Sequence, residues 1–364
     1  MHVVFAPDKF AGTLSALEAA EAMADGWARR APDDVLVQVP MSDGGPGFVD
    51  VLHAALGGEL DAVTVTGPYG DPTPATILRA GDTSYVESAQ AVGLHLTEPE
   101  HREPERATTR GLGELLGLAI DAGATRVVLG LGGSATNDAG AGLLSGLGAT
   151  SEGGSLEEGP AGLEQLTSVE LDAARRRVEG VELVIASDVD NPLLGITGAT
   201  RIYGPQKGLA EERHVTVDAW LQHFAELTDR KLAATKGAGA AGGLGFALLL
   251  LGGTRRSGVD MVMDAVGLAE KVRDADLVVT GEGAFDFSSG AGKVPYGVAE
   301  VAAQQLVPCI ALAGQVLIGS REMRALGVES AYSVVDLVGE ERALDAPAEA
   351  LADLATRTAR TWSR

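Results

Sequence analysis

Residues 127–149 constrain the fold most. They run from Val127-Val128-Leu129 through Gly130-Leu131-Gly132-Gly133-Ser134-Ala135-Thr136-Asn137-Asp138-Ala139-Gly140-Ala141-Gly142 into Leu143-Leu144. An apolar run that passes through a glycine-rich turn into helical spacing is the signature of a buried strand feeding a helix, the repeating unit of α/β architecture. Gly132 and Gly133 permit backbone conformations and close approaches that a Cβ forbids, while Ser134, Thr136, Asn137 and Asp138 offer side-chain oxygens and helix caps. Such a turn presents N–H groups at a helix N-terminus, where an anion is welcome. The same glycines would equally serve to bring a helix close to a sheet, and the turn alone does not separate the two uses.

The pattern recurs along the chain. Residues 2–6 read as a strand, residues 7–13 as a polar turn holding Asp8 and Lys9, and Ser15 caps a helix with Leu17, Ala20, Met23 and Trp27 at helical spacing. Residues 35–39 form the next strand, followed by Ser42-Asp43-Gly44-Gly45 and a helix over 48–56. Residues 62–97 change to short alternating runs, which predict a small antiparallel or mixed sheet. Helices are expected over 109–122, 211–231 and from the glycines at 237–245 through Leu251, with a solvated loop at 151–162. Later strands at 181–186, 277–280 and 309–313 end in Asp188 with Asn191, in Glu282 with Asp286, and in Gly314. Open parallel sheets bind ligands at the shared carboxyl edge of their strands. Asp8, Asp43, Asp188, Glu282 and Asp286 are therefore expected on one cleft with the glycine turn.

Composition removes several classes. The net charge of -23 argues against nucleic-acid partners, which need a basic surface. Cys309, the single cysteine, allows no intramolecular disulfide and reads as a buried thiol. The histidines show no pair at helix spacing, so a zinc hydrolase is not indicated. No apolar run reaches a membrane span and residues 2–6 show no leader, so a cytoplasmic chain is expected, with no membrane partner. Strict dinucleotide, phosphate-loop and nucleophile-elbow patterns are missing, which leaves a nicotinamide-dependent oxidoreductase with glycine turns alone. Abundant carboxylates, glycine turns, and Lys207 and Lys293 beside glycines suit phosphoryl transfer. Each carboxylate also has a structural use: Asp8 and Asp43 as helix caps, Asp188 in an Asx turn.

Seven segments together resemble the bacterial glycerate kinase family of glyoxylate and glucarate metabolism. They are Ala6-Pro7-Asp8 with Leu14-Ser15-Ala16; Ser42-Asp43-Gly44-Gly45; Gly132 to Asp138; Ser187-Asp188-Val189-Asp190-Asn191-Pro192-Leu193; Gly204-Pro205-Gln206-Lys207-Gly208; Gly239-Ala240-Ala241-Gly242-Gly243; and Thr280-Gly281-Glu282-Gly283 with Gly292-Lys293-Val294-Pro295. The resemblance implies ATP- and magnesium-dependent phosphorylation of D-glycerate, most often at the 2-hydroxyl. It also implies two α/β domains with the active-site cleft between them: a flavodoxin-like parallel-sheet domain from both chain ends (1–60 and 268–364), and an inserted restriction-endonuclease-like mixed α/β domain (61–267).

On this reading Asp43, Asp188 and Lys207 are catalytic. Gly132, Gly133, Ser134, Thr136, Asn137, Gly239, Gly242, Gly243 and Lys293 hold the nucleotide. Asp8, Lys9, Gly44, Gly45 and Asn191 hold substrate, and Glu282 and Asp286 the metal. The partner is a small hydroxy acid, and a homodimer is an open expectation. Three positions depart from the family pattern: Ala11 stands where a lysine is expected, Pro46 where Glu-Gly-Thr would begin, and Ala284 where an arginine is expected. The alternatives these departures raise are a paralogue acting on another hydroxy acid, and a non-catalytic small-anion-binding protein.

Overall fold

A computed structural model describes residues 1–10, 12–286 and 293–363. Ala11 and Gly292, both singled out in the sequence, lie outside the described residues. The chain divides into two compact units, the first formed by Met1–Asp43, Asp50–Leu56 and Val259–Arg364, the second by Gly44–Val49 and Gly57–Gly258.

The first unit is built on a five-stranded, wholly parallel sheet, ordered Ser330–Ser333, Cys309–Ala313, Leu277–Gly281, His2–Pro7, Val35–Gln38. Numbered along the chain this is the order 2-1-3-4-5, a doubly wound arrangement whose switch point lies between the first and third strands. Its central strands are apolar almost throughout because helices cover both faces: Val3, Val4 and Phe5, like Leu277, Val278 and Val279, are fully buried. The helix Ala16–Arg30 begins as the sequence indicates. Ser15 Oγ accepts from the Glu18 N–H at 3.2 Å and Glu18 Oε2 accepts from the Ser15 N–H at 2.8 Å, a complete capping box. Trp27 on that helix meets Phe5 edge to face at 5.8 Å.

The second unit holds a six-stranded mixed sheet, ordered Thr254–Arg256, Glu182–Ala186, Arg126–Gly130, Thr83–Glu87, Pro72–Ala80, Glu59–Thr66. The first four strands are parallel and the last two antiparallel. The alternating runs after residue 62 are thus one edge of this sheet rather than a sheet of their own. Thr83–Glu87 pairs antiparallel with Pro72–Ala80 on one side and parallel with Arg126–Gly130 on the other.

Other expectations shift locally. The loop at 151–162 begins in a short strand, Thr150–Glu152, paired with Ser168–Glu170. The helix expected over 211–231 starts as a 3-10 turn and is regular only over His214–Leu227. The helices Gly258–Val266 and Pro347–Trp362 were not read in the sequence, although Pro347 at a helix start and apolar Ala350, Leu351, Leu354 and Ala355 carry the signal. Among the described residues no helix is long and apolar enough to cross a membrane.

Candidate active site

In the first unit the parallel strands deliver Asp8, Lys9, Asp43 and Glu282 to one sheet edge. The Asp8 N–H donates to Gly281 O at 2.8 Å and the Met41 N–H to Pro7 O at 2.9 Å, which locks the three strand ends together. Lys9 Nζ lies 3.3 Å from Asp43 Oδ1 and 3.6 Å from Asp8 Oδ1. Asp8 is only 7% exposed, and burial raises its pKa, Lys9 opposing and Asp43 and Glu282 adding, to about 7. Burial pulls the Lys9 ammonium down, but Asp8 and Asp43 hold it above its ordinary value. Lys293 Nζ stands 4.0 Å from Glu282 Oε2 at the start of the helix Val294–Gln304, an end where N–H groups favour anions. Half-buried Asp286 follows the short strand Ala284–Phe285. Among the described residues no three His, Cys, Asp or Glu side chains are grouped so as to hold a metal ion.

In the second unit the glycine-rich turn follows its strand, Arg126–Gly130, and precedes the helix Ala141–Gly146, as expected. Its contents are more buried than a ligand loop requires. Ser134 is 4% exposed, Thr136 0% and Asn137 1%. A Cβ on Gly132 would lie 2.5 Å from Gly45 Cα, and one on Gly44 would lie 2.9 Å from Ala186 O. These glycines let the Asp-Gly-Gly loop close against the strand ends, the packing use of a small residue. Asn137 Nδ2 donates to Thr200 Oγ1 at 3.0 Å, whereas the buried Asn137 Oδ1 and Thr136 Oγ1 have no hydrogen-bond partner. Asp138, fully buried, accepts from the Thr109 N–H and hydroxyl and from the Gly140 and Gly142 N–H groups. Burial raises its pKa against the pull of these donors.

Lys207 is 2% exposed at the end of the 3-10 turn Pro205–Lys207. Its ammonium donates to Ser134 Oγ at 3.1 Å and to Thr136 O at 2.5 Å. Desolvation lowers its pKa to about 7, with Asp138 pulling the other way. The segment 239–243 closes on the same turn: Ala241, Gly242 and Gly243 are all left-handed, and the Ala139 N–H donates to Gly242 O at 3.1 Å. Asp188 is half-buried after the strand Glu182–Ala186. Asn191 is tied into its own loop, Nδ2 donating to Thr197 O and Oδ1 accepting from the Tyr203 hydroxyl, both at 2.8 Å.

Each unit carries a cluster of its own. Asp8, Lys9, Asp43, Glu282 and Lys293 gather in the first; Ser134, Thr136, Asn137, Asp138, Lys207 and Gly242 gather in the second. A cavity of about 1140 Å³ also lies in the second unit, but Arg106 and Arg110 on its wall pair with Glu103, Glu114 and Glu157, and Asp71, Glu98 and Glu158 add further negative charge. Such a lining repels an anionic substrate.

Comparison with known proteins decides the family. The profile described as the Glycerate kinase family matches residues 3–363. The chain belongs to the glycerate kinase family. It is 42% identical to the protein named glycerate kinase of Bacillus subtilis (strain 168), over 92% of this chain and 90% of that one. It is 40% identical to glycerate 2-kinase of Escherichia coli (strain K12), over 93% and 92%. A crystal structure of a protein named as a glycerate kinase 2 of Salmonella typhimurium LT2 superposes with a TM-score of 0.81 at 38% identity, covering 99% of this chain and 98% of that one. That Lys207 and Asp138 are core groups was not legible in the sequence. The sign available for Asp138 was its place just ahead of a helix start, where an aspartate caps.

Proposed function

We propose that this member of the family transfers the γ-phosphoryl group of ATP to D-glycerate, at the 2-hydroxyl, as a cytoplasmic enzyme acting on small organic acids. The observation that carries the reading is the crowding of Lys9, Asp43 and Glu282 around Asp8 at the switch-point edge, in a chain that matches the family along nearly its whole length. A carboxylate with a pKa near neutrality is suited to accept the proton of an attacking hydroxyl. Asp8 has that property, and Lys9, bridging it to Asp43, fixes its orientation. Lys293 and the helix end behind it suit the phosphates.

Magnesium takes one or two carboxylates together with phosphate oxygens, so a three-carboxylate cage is not required. Burial first, and then the charges of Asp43 and Glu282, raise the Asp8 pKa; a divalent cation relieves that local negative charge, and Glu282 with Asp286 are the side chains we assign to it. When bound, it would neutralise charge on the transferring phosphoryl group. Lys207, with no surface to offer, serves by holding Ser134 and the Thr136 carbonyl in place. Asp188 keeps its expected catalytic role, as the second unit's candidate base or metal ligand. We also read the family's domains, 1–60 with 268–364 flavodoxin-like and 61–267 restriction-endonuclease-like, as corresponding to the two units, whose bounds differ from these at 44–49, 57–60 and 259–267.

The test is incubation with ATP, magnesium and D-glycerate followed by phosphorus NMR. ADP with 2-phosphoglycerate is the expected outcome; 3-phosphoglycerate would overturn the regiochemistry. No turnover, with saturable glycerate binding, would favour an anion-binding paralogue.

A further inference from the structure

We propose that the first unit holds the purine base of the phosphoryl donor in an apolar cavity of about 250 Å³ lined by Phe10, Val334, Val335, Ala343, Leu344 and Leu351. The assignment rests on the reading of ATP as donor, and adds which unit binds the base and through which residues.

Position is the first argument. The cavity opens beyond the carboxyl ends of Leu277–Gly281 and Cys309–Ala313, central strands of the parallel sheet and the edge at which such sheets take ligands. The chain itself carries the cavity to the charged cluster. Phe10 is two residues beyond Asp8, and Gly283, also on the wall, directly follows Glu282. A base seated here would leave its phosphates on the side of Asp8, Glu282 and Lys293.

Shape and chemistry are the second. Phe10, Val334 and Leu351 are buried and form an apolar floor. One wall is a short parallel ribbon in which Ala284 pairs with Gln315, and the Gln315 N–H donates to Gly283 O at 2.9 Å. Gly283, Ala284 and Gly314 are the small residues on that wall. Leu344 is 60% exposed at the rim, an apolar group that a stacked ring would cover. The volume falls below the roughly 300–1,000 Å³ filled by drug-sized ligands, which suits one bicyclic ring rather than a whole nucleotide. Thr13, Gln315 and Glu340 are the polar side chains at the lining, and Gln315 and Glu340 are those we assign to the ring's hydrogen-bonding edge.

Calorimetric titration of the full chain with ADP and, separately, with pyrophosphate tests this, using the wild type, Ala284→Trp and Ala343→Phe. Ala284 is exposed, so the tryptophan fills the mouth without entering the core. The wild type is expected to bind ADP at least tenfold more tightly than pyrophosphate. Loss of that preference in either folded variant, with pyrophosphate affinity held within twofold, supports the base cavity. Unchanged ADP affinity in both variants, or equal wild-type affinities for ADP and pyrophosphate, overturns it. Glycerate turnover is read in parallel. Turnover with unchanged ADP affinity in both variants removes the cavity and leaves the activity. A base-dependent ADP site without glycerate turnover removes the activity and leaves the cavity.

Discussion

Asp8 and Lys207 are moved toward neutrality from opposite sides by the same cause, removal from water, and each pKa settles at about 7. The consequences differ in sign. A raised carboxylate binds a proton in the folded chain that the unfolded chain has released, so ionising Asp8 costs stability between about pH 4 and 7. A lowered lysine has released a proton that the unfolded chain still holds, so stability from Lys207 rises between about pH 7 and 10.5. Lys207→Met should abolish that rise, whose slope approaches 1.4 kcal/mol per pH unit for one such group, read as urea midpoints from pH 7 to 10. At catalysis, kcat/KM for glycerate should climb as Asp8 ionises through about pH 7. Asp8→Asn should lower it roughly 100-fold or more and remove that limb of the profile. A profile with its limb intact in Asp8→Asn would assign the base elsewhere. The sequence showed both residues beside turns, but their protonation depends on neighbours it does not place. Ser134, whose hydroxyl oxygen accepts the hydrogen bond from Lys207 Nζ, is 73 positions away.

At the scale of elements, the two glycine-rich segments of the second unit act as one structure. Both were legible as strand or helix punctuation. Their meeting was not, since it depends on where two helices start relative to a shared sheet edge. A Cβ on Gly242 would lie 1.9 Å from the Thr136 carbonyl oxygen, and its φ of +71° already suits glycine. Gly242→Ala should therefore cost about 3 kcal/mol or more, measured by denaturant unfolding. Ala241, left-handed at φ +51° without being glycine, makes the opposite case. Ala241→Gly should be neutral or stabilising by up to about 1 kcal/mol, relief of strain offsetting glycine's extra backbone entropy. In the first unit, the Ser15 to Glu18 capping box was readable because both partners lie within one turn. Ser15→Ala should cost about 1 kcal/mol in the same assay.

For the whole molecule, a net charge of -23 opposes the approach of an anionic substrate or nucleotide. The Debye length falls from about 30 Å at 0.01 M to about 8 Å at 0.15 M salt. Raising potassium chloride across that range should therefore increase kcat/KM for glycerate at least about twofold; a fall would show that local cations dominate the encounter. The sequence by itself determined the family and the run of strands, turns and helices that carries the motifs, because periodicity, caps and motif spacing are carried by neighbouring residues. Only the tertiary structure decided how the strand-end loops are shared out. Strand order put Asp8 and Asp43 beside Glu282, more than two hundred positions along the chain, and the fold set Lys207 against the glycine-rich turn of residues 130–142. That turn keeps its expected place between strand and helix, yet its Thr136 and Asn137 face the core. Burial and charge are sums over neighbours in space, and the chain does not list those neighbours until it has folded.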